Sequence, residues 1–262
     1  MSPSGSPPRV TSVNAALKLN ERTENMKMIV LLLLFTQTLI ASTFREQTID
    51  LGKGQSLVLV NLKHEFWVSK YETTQGQWLA VMGQPSPGSP LSCLIYDKRQ
   101  RGDRRPMCHI GLVHAEAFCK AASEKTGRKI RLPTELEWEF FANGTKLEDA
   151  VCSIGLNPGL QAPADVGSKG PNRFGLYDVL GNALEICSGN WEDYFDKRLG
   201  RKRKDTPTCM GGSAPWTPMR GGFYATNGQI MMKIGFRDWS IGKGMAIGGG
   251  GGFRVVCDGD GK

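Results

Sequence analysis

From Asn143 onward the chain carries little sustained helical or strand periodicity, with Gly and Pro spaced through to residue 175 and again from Gly200 to Gly222. Two long structureless stretches are uncommon in a compact domain unless they carry sites or bind metal. The fold must therefore hang irregular connections on a few short elements. The 33 Gly and 14 Pro agree with this, while 40% hydrophobic and 22% charged residues are those of an ordinary globular protein. At 262 residues the chain is long enough to bury a sizeable core without extra staples.

The regular elements are legible where they occur. Residues 47–70 alternate in short apolar runs, Ser56–Val60 and Phe66–Val68, as hairpin strands do. Thr74 with Gln77 three residues on predicts a capped helix over Thr73–Met82, ending near Gly83. Ala115, Phe118, Cys119 and Ala122 recur at helical spacing, and Gly127 stops that helix. Thr134 and Glu137 form a second capping box, opening a helix whose acidic first turn suits the helix dipole. Gly252–Cys257 reads as a closing strand, preceded by the pentaglycine Gly248–Gly252, which holds no defined shape cheaply. No internal repeat is visible.

Lys27, the apolar run Met28–Phe35 and the small-residue exit at Ala41-Ser42 follow the plan of a signal peptide. The run is too short and interrupted for a transmembrane helix, which needs about twenty apolar residues; a buried core helix is the alternative. We expect residues 1–42 to be leader and signal peptide, with translation starting at Met1, Met26 or Met28, and the mature protein to be secreted or periplasmic without a transmembrane anchor. The formal charge of +8 is concentrated at Lys197–Lys204 and at Arg99–Arg105. Neither stretch has the interleaved aromatics or module of a nucleic-acid binder, so both read as solvated loops. Seven cysteines are an odd number, leaving at least one thiol unpaired within the chain. Cys119 and Cys187, in apolar contexts, read as buried free thiols. His64, His109 and His114 lack zinc-site spacing with any of the cysteines.

Six segments then occur in a fixed order. They are Tyr71-Glu72-Thr73-Thr74 with Trp78; Ala117-Phe118-Cys119; Arg131–Glu135 through Trp138-Glu139; Asn172–Asp178 through Gly181-Asn182; Arg220-Gly221-Gly222; and Gly252-Phe253-Arg254. Together they resemble the formylglycine-generating enzyme, or sulfatase-modifying-factor, family. The resemblance implies an α+β fold of the C-type lectin-like type over residues 45–262, with short strands and helices and much irregular structure.

The segment Asp178–Glu185 holds two carboxylates seven residues apart with a glycine between them, an arrangement that can wrap a hard cation in oxygens. The two acids can equally serve as loop caps or ion-pair partners. The resemblance implies a calcium ion held by the side chains of Asp178 and Glu185 and the carbonyls of Gly181 and Ala183. The enzymes of the family also carry copper on two cysteines five residues apart, after Arg-Gly-Gly, because soft thiolates select Cu(I). Here those positions fall on Thr226 and Met231, and no cysteine lies between Cys209 and Cys257. Copper is therefore not expected, and Met231 reads as a packing residue. Leu184-Glu185-Ile186 replaces the family's Trp-Glu-Trp, and Phe223 replaces a small residue.

Two functions follow from the resemblance. One is a non-catalytic, calcium-stabilised binding protein that displays Tyr224, Asn227, Phe236, Arg237, Trp239 and Met245 to a protein or glycan ligand. Aromatics beside Arg and Gly suit adaptable binding surfaces. Some members of the fold are varied in this same segment by diversity-generating retroelements, and the pentaglycine is compatible with such a history. The other is a formylglycine-generating oxidase or maturation factor for exported sulfatases.

Overall fold

The chain divides into two units, Met1–Thr43 and Phe44–Lys262. Its structure, a computed structural model, describes residues 24, 26–28, 45–62, 66–83, 99, 101–152, 161–189, 217–226, 238–240 and 251–259. In the first unit these are the helical Glu24 and Met26–Met28, where Lys27 pairs with Glu24. The rest of the expected signal segment and the Lys197–Lys204 run lie outside the described residues. Among the described residues no helix is long and apolar enough to cross a membrane.

The second unit opens with a hairpin, β1 (Glu46–Gly52) and β2 (Gln55–Asn61). Lys53 and Gly54 turn it, both at positive φ (54° and 72°), the backbone a two-residue hairpin turn needs to match strand twist. β3 (Phe66–Ser69) pairs with β2, and β9 (Val256–Asp258), near the other end of the chain, pairs with β3. β4 (Ile130–Arg131) completes an antiparallel sheet ordered β1-β2-β3-β9-β4. A second sheet, ordered β7-β6-β5-β8, is built from β5 (Leu184–Ile186), β6 (Thr217–Arg220), β7 (Asp238–Ser240) and β8 (Gly251–Gly252). Its β5–β8 pairing is parallel and the others antiparallel.

The first sheet separates two cores, because side chains alternate across a strand. Leu57, Leu59, Trp67 and Cys257 face one core, while Val60, Val68 and Val256 face the other. Helices α1 (Gln75–Met82) and α2 (Leu112–Thr126) fill the first core with Trp78 and Phe118; α3 (Glu135–Ala142) fills the second with Trp138 and Phe141. Each helix ends or begins where its sequence signals. Thr74 and Gln77 exchange both capping-box bonds, Gly83 and Gly127 take left-handed geometry, and Thr134 and Glu137 form the second box. Gln77 also donates from Nε2 to Ser56 O (2.8 Å), so the cap of α1 fastens that helix to β2.

Four strands, β5, β6, β8 and β9, depart from the sequence reading. The closing strand expected over Gly252–Cys257 is two strands, β8 and β9, with Phe253–Val255 crossing from one sheet to the other. Gly251 and Gly252 of the pentaglycine are ordered in β8, because pairing with β5 supplies the bonds that offset the entropy of glycine. β5 and β6 lie in stretches where regular patterning fades. Each has four residues or fewer, and Pro218 within β6 masks any alternation.

Cys119, Cys152, Cys187 and Cys257 are buried thiols outside any disulfide, as expected for Cys119 and Cys187. Burial pushes the Cys119 thiol up to about 12, so it stays protonated and inert. Arg104 donates to Val166 O (2.8 Å) and Arg105 pairs with Asp165 (3.2 Å), so this basic stretch is a surface turn that fastens the 165–166 loop.

Phe118 is the hinge of the first core: its ring stacks on Trp78 (5.7 Å) and meets Phe253 edge-on (5.3 Å). Phe118→Ala should cost about 3–5 kcal/mol and lower the melting temperature by roughly 10 °C, read by circular dichroism. A loss of less than 1 °C would mean that this trio does not organise the core.

Candidate functional site

The Asp178–Glu185 segment is buried at the junction of the two sheets. Glu185 lies on β5 and is fully buried. Its Oε1 accepts from Arg254 Nε (2.7 Å) and lies 2.6 Å from Arg254 Nη2, while Oε2 accepts from Trp138 Nε1 (2.7 Å). Arg254 stands on the crossing between β8 and β9. It donates further to Ser69 O (3.2 Å) and Tyr177 O (2.8 Å), so one guanidinium gathers the end of β3, the loop before Asp178, and β5. Burial works against charge on Arg254, but Glu185 overrides it and holds the guanidinium above its ordinary value.

A third acid, Glu72, completes the cluster. Its Oε1 accepts from Ala183 N (2.8 Å) and its Oε2 from Asn182 Nδ2 (2.7 Å). Asn182 Oδ1 in turn accepts from Ala164 N (2.8 Å). Burial, then the neighbouring Asp178 and Glu185, drive the Glu72 carboxyl well above its usual range. Asp178 and Asn182 both adopt left-handed backbone (φ 55° and 56°), which short polar side chains tolerate. Gly181 sits between them at φ 87°, where a Cβ would lie 2.4 Å from Val151 O; Gly221 approaches Val179 O almost as closely (2.8 Å). These motif glycines are required by backbone packed against backbone.

The calcium expectation can be tested on these contacts. Asp178 Oδ2 accepts from Gly167 N (2.6 Å), and its Oδ1 is buried without a partner among the described residues, which suits a cation ligand. Glu185 does not fit the same role. Both its oxygens are committed, one of them to a guanidinium, and this is the ion-pair role the sequence left open. No three His, Cys, Asp or Glu side chains converge as a metal-binding group among the described residues. The donor set therefore departs at Glu185 from the one the resemblance implies.

Beyond β6 the chain turns back into the protein. Arg220 is fully buried, donating Nε to Glu135 (3.0 Å), pairing with Glu139, and lying over the Trp138 ring (5.6 Å). Tyr224, expected on a displayed surface, is instead 7% exposed. Its N–H donates to Asn182 O (3.0 Å) and Phe223 meets its ring edge-on (5.5 Å). The reason is the left-handed Gly221-Gly222 pair (φ 93° and 71°), which folds the following residues inward. Thr226, at the first position where the enzymes carry a copper cysteine, is buried, with its hydroxyl accepting from Phe223 N (3.0 Å). A hydroxyl spent on a turn does not fit a Cu(I) ligand. Asn227, Met231, Phe236, Arg237 and Met245 lie outside the described residues, and Trp239 is described only as backbone of β7, opposite Pro218.

Sequence reasoning passed over Glu72, Trp138, Asn182 and Arg254 as site residues, although all four stand in its motifs. A signal was available: Glu185 between Leu184 and Ile186, and Arg254 between Phe253 and Val255, are charges inside apolar runs, and such charges are buried only when paired.

Burial lifts the Asp178 carboxyl from an ordinary 3.8 to about 6. Because the folded value is raised, the folded state binds the proton first, and the stability owed to this group increases as pH falls from about 7 toward 4. Relative to Asp178→Asn, the wild-type protein in chelator should gain on the order of 2–3 kcal/mol over that window. Urea denaturation at several pH values measures it; a difference independent of pH would show Asp178 to be ordinarily solvated.

Residues 45–259 match the model of the "Sulfatase-modifying factor enzyme 1-like domain" family. The mouse formylglycine-generating enzyme is 30% identical over 139 residues, 44% of this chain and 34% of its own length. The chain spans between about a third and under two thirds of the curated relatives it first matches. Among solved structures, PvdO from Pseudomonas aeruginosa superposes with a TM-score of 0.54 at 21% identity, covering 82% of this chain and 92% of its own. Treponema denticola variable protein 1 does so with a TM-score of 0.57 at 21% identity, covering 81% and 99%. Both show the C-type lectin-like fold of the formylglycine-generating enzyme type, and with 45–259 matched the chain belongs to the sulfatase-modifying factor enzyme 1-like domain family.

Proposed function

We propose that this protein is an exported, non-catalytic ligand-binding member of its family, with a rigid core that presents residues 227–237 and 241–250 to a protein or glycan. The observation that carries this reading is Thr226. Where the copper chemistry needs a thiolate, the chain places a buried hydroxyl already used in a turn, and no cysteine follows before Cys257. A family domain without its oxidising ligands keeps the fold and its loops.

The arrangement of the second sheet supports the same reading. Both candidate stretches leave and re-enter through short strands, the first between residue 226 and β7, the second between β7 and β8. Their ends are held by β6, β7 and β8, and loops anchored on such a scaffold tolerate changes of sequence. The similar Treponema denticola protein is itself a variable protein. Asn227, Phe236, Arg237, Trp239 and Met245 are the candidate contact residues. Export rests on the N-terminal basic, apolar and small-residue sequence.

Two experiments test the reading. Copper-loaded protein incubated with a Cys-x-Pro-x-Arg peptide should yield no formylglycine by mass spectrometry; turnover would overturn the proposal in favour of an oxidase. On a glycan array and a panel of surface proteins, Phe236→Ala and Arg237→Ala should each weaken binding about tenfold or more with no change in melting temperature. Equal binding by wild type and both variants would remove the ligand from this surface.

A further inference from the structure

We propose that Arg254, rather than a calcium ion, supplies the positive charge that neutralises Glu185 and locks the Asp178–Glu185 loop to the scaffold. Glu185 has no exposed surface, and its oxygens receive Arg254 Nε, Arg254 Nη2 and Trp138 Nε1, all within 2.7 Å. Calcium would need to approach one of these oxygens to about 2.3–2.6 Å. It would then share a buried carboxylate with a guanidinium, and two like charges at that range repel strongly where water is excluded.

Arg254 also does the mechanical work that a cation would do for the loop. Calcium holds an irregular segment by drawing several oxygens to one centre. The guanidinium draws together a carboxylate oxygen of Glu185 and the carbonyls of Tyr177 and Ser69, two strands and one connecting segment. Tyr177 directly precedes Asp178, so the N-terminal end of the loop is held by the same group as its C-terminal end.

The remainder of the loop is already fastened by protein groups. Glu72 takes the N–H of Ala183 and the side-chain amide of Asn182; Gly181 N donates to Gly221 O (2.8 Å), and Asn182 N donates to Val151 O (2.8 Å). Asp178 Oδ1 is the one side-chain oxygen of the cluster without a partner among the described residues. The side chains of the cluster thus offer calcium one free oxygen, and the rest of its six to eight ligands would have to come from backbone carbonyls and water. The Gly-Phe-Arg segment thus carries the loop's cation within the chain, and the scaffold does not depend on the calcium content of its compartment.

The test is a calcium titration of the full chain. After exhaustive dialysis against chelator, added calcium chloride should leave the melting temperature unchanged. Arg254→Met should melt roughly 10 °C lower than wild type, with no recovery on adding calcium. A calcium-dependent rise in the wild-type melting temperature that disappears in Asp178→Asn or Glu185→Gln would overturn the proposal, because it would place the ion at this cluster. A rise that persists in both variants would put calcium elsewhere and uphold Arg254 as the partner of Glu185. Should Arg254→Met fail to fold, the wild-type titration with these two variants decides the question alone.

Discussion

The buried pairing of Glu185 with Arg254 is the contact on which the rest of the domain depends. Taking both charges out of water costs several kcal/mol per ion, and that cost is met only when geometry is good and the remaining donors are used. Here they are used: Trp138 closes the second carboxylate oxygen, and Ser69 and Tyr177 accept from the guanidinium. The pair therefore forms only when β5, the crossing segment Phe253–Val255, the end of β3 and helix α3 are all in place. Its contribution is specification more than net stability, since an apolar substitute could fill the same space but would not demand this arrangement.

Trp138 connects this pair to a second one. Its indole N–H holds Glu185, while the guanidinium of Arg220 lies over its ring and pairs with Glu135 and Glu139 on the same helix. Helix α3 is thus held from within by two buried arginines that arrive from distant parts of the chain. Its outer start is held by Arg131, which binds Glu137 (2.7 Å) and Asp258 (2.6 Å) together. A helix of eight residues is too short to be stable by itself. Its permanence comes from these tertiary ties.

This economy explains how the fold can carry so much irregular chain. The 172–189 segment has little regular structure, yet Asn172, Asp178, Asn182 and Glu185 each bond to backbone or side chains elsewhere. Polar side chains take over the work that sheet and helix ladders do in other folds. The second sheet can then use strands of two to four residues, because its edges need to hold only the ends of long excursions.

Local chemistry made the helices and the first hairpin legible. Thr74 with Gln77, Thr134 with Glu137, and the stops at Gly83 and Gly127 are interactions between residues a few positions apart, so their sequence spacing determines them. The ordered motifs likewise announced the family, and the absence of cysteine after Cys209 and before Cys257 is a property of the sequence alone. Tertiary structure decided the rest. Whether Glu185 faces a cation or a guanidinium depends on Arg254, 69 residues away. Whether Tyr224 is displayed or buried depends on the turn at Gly221-Gly222 and on a carbonyl of Asn182. A carboxylate has the same letter in either role, and only the fold brings the partner that gives it one.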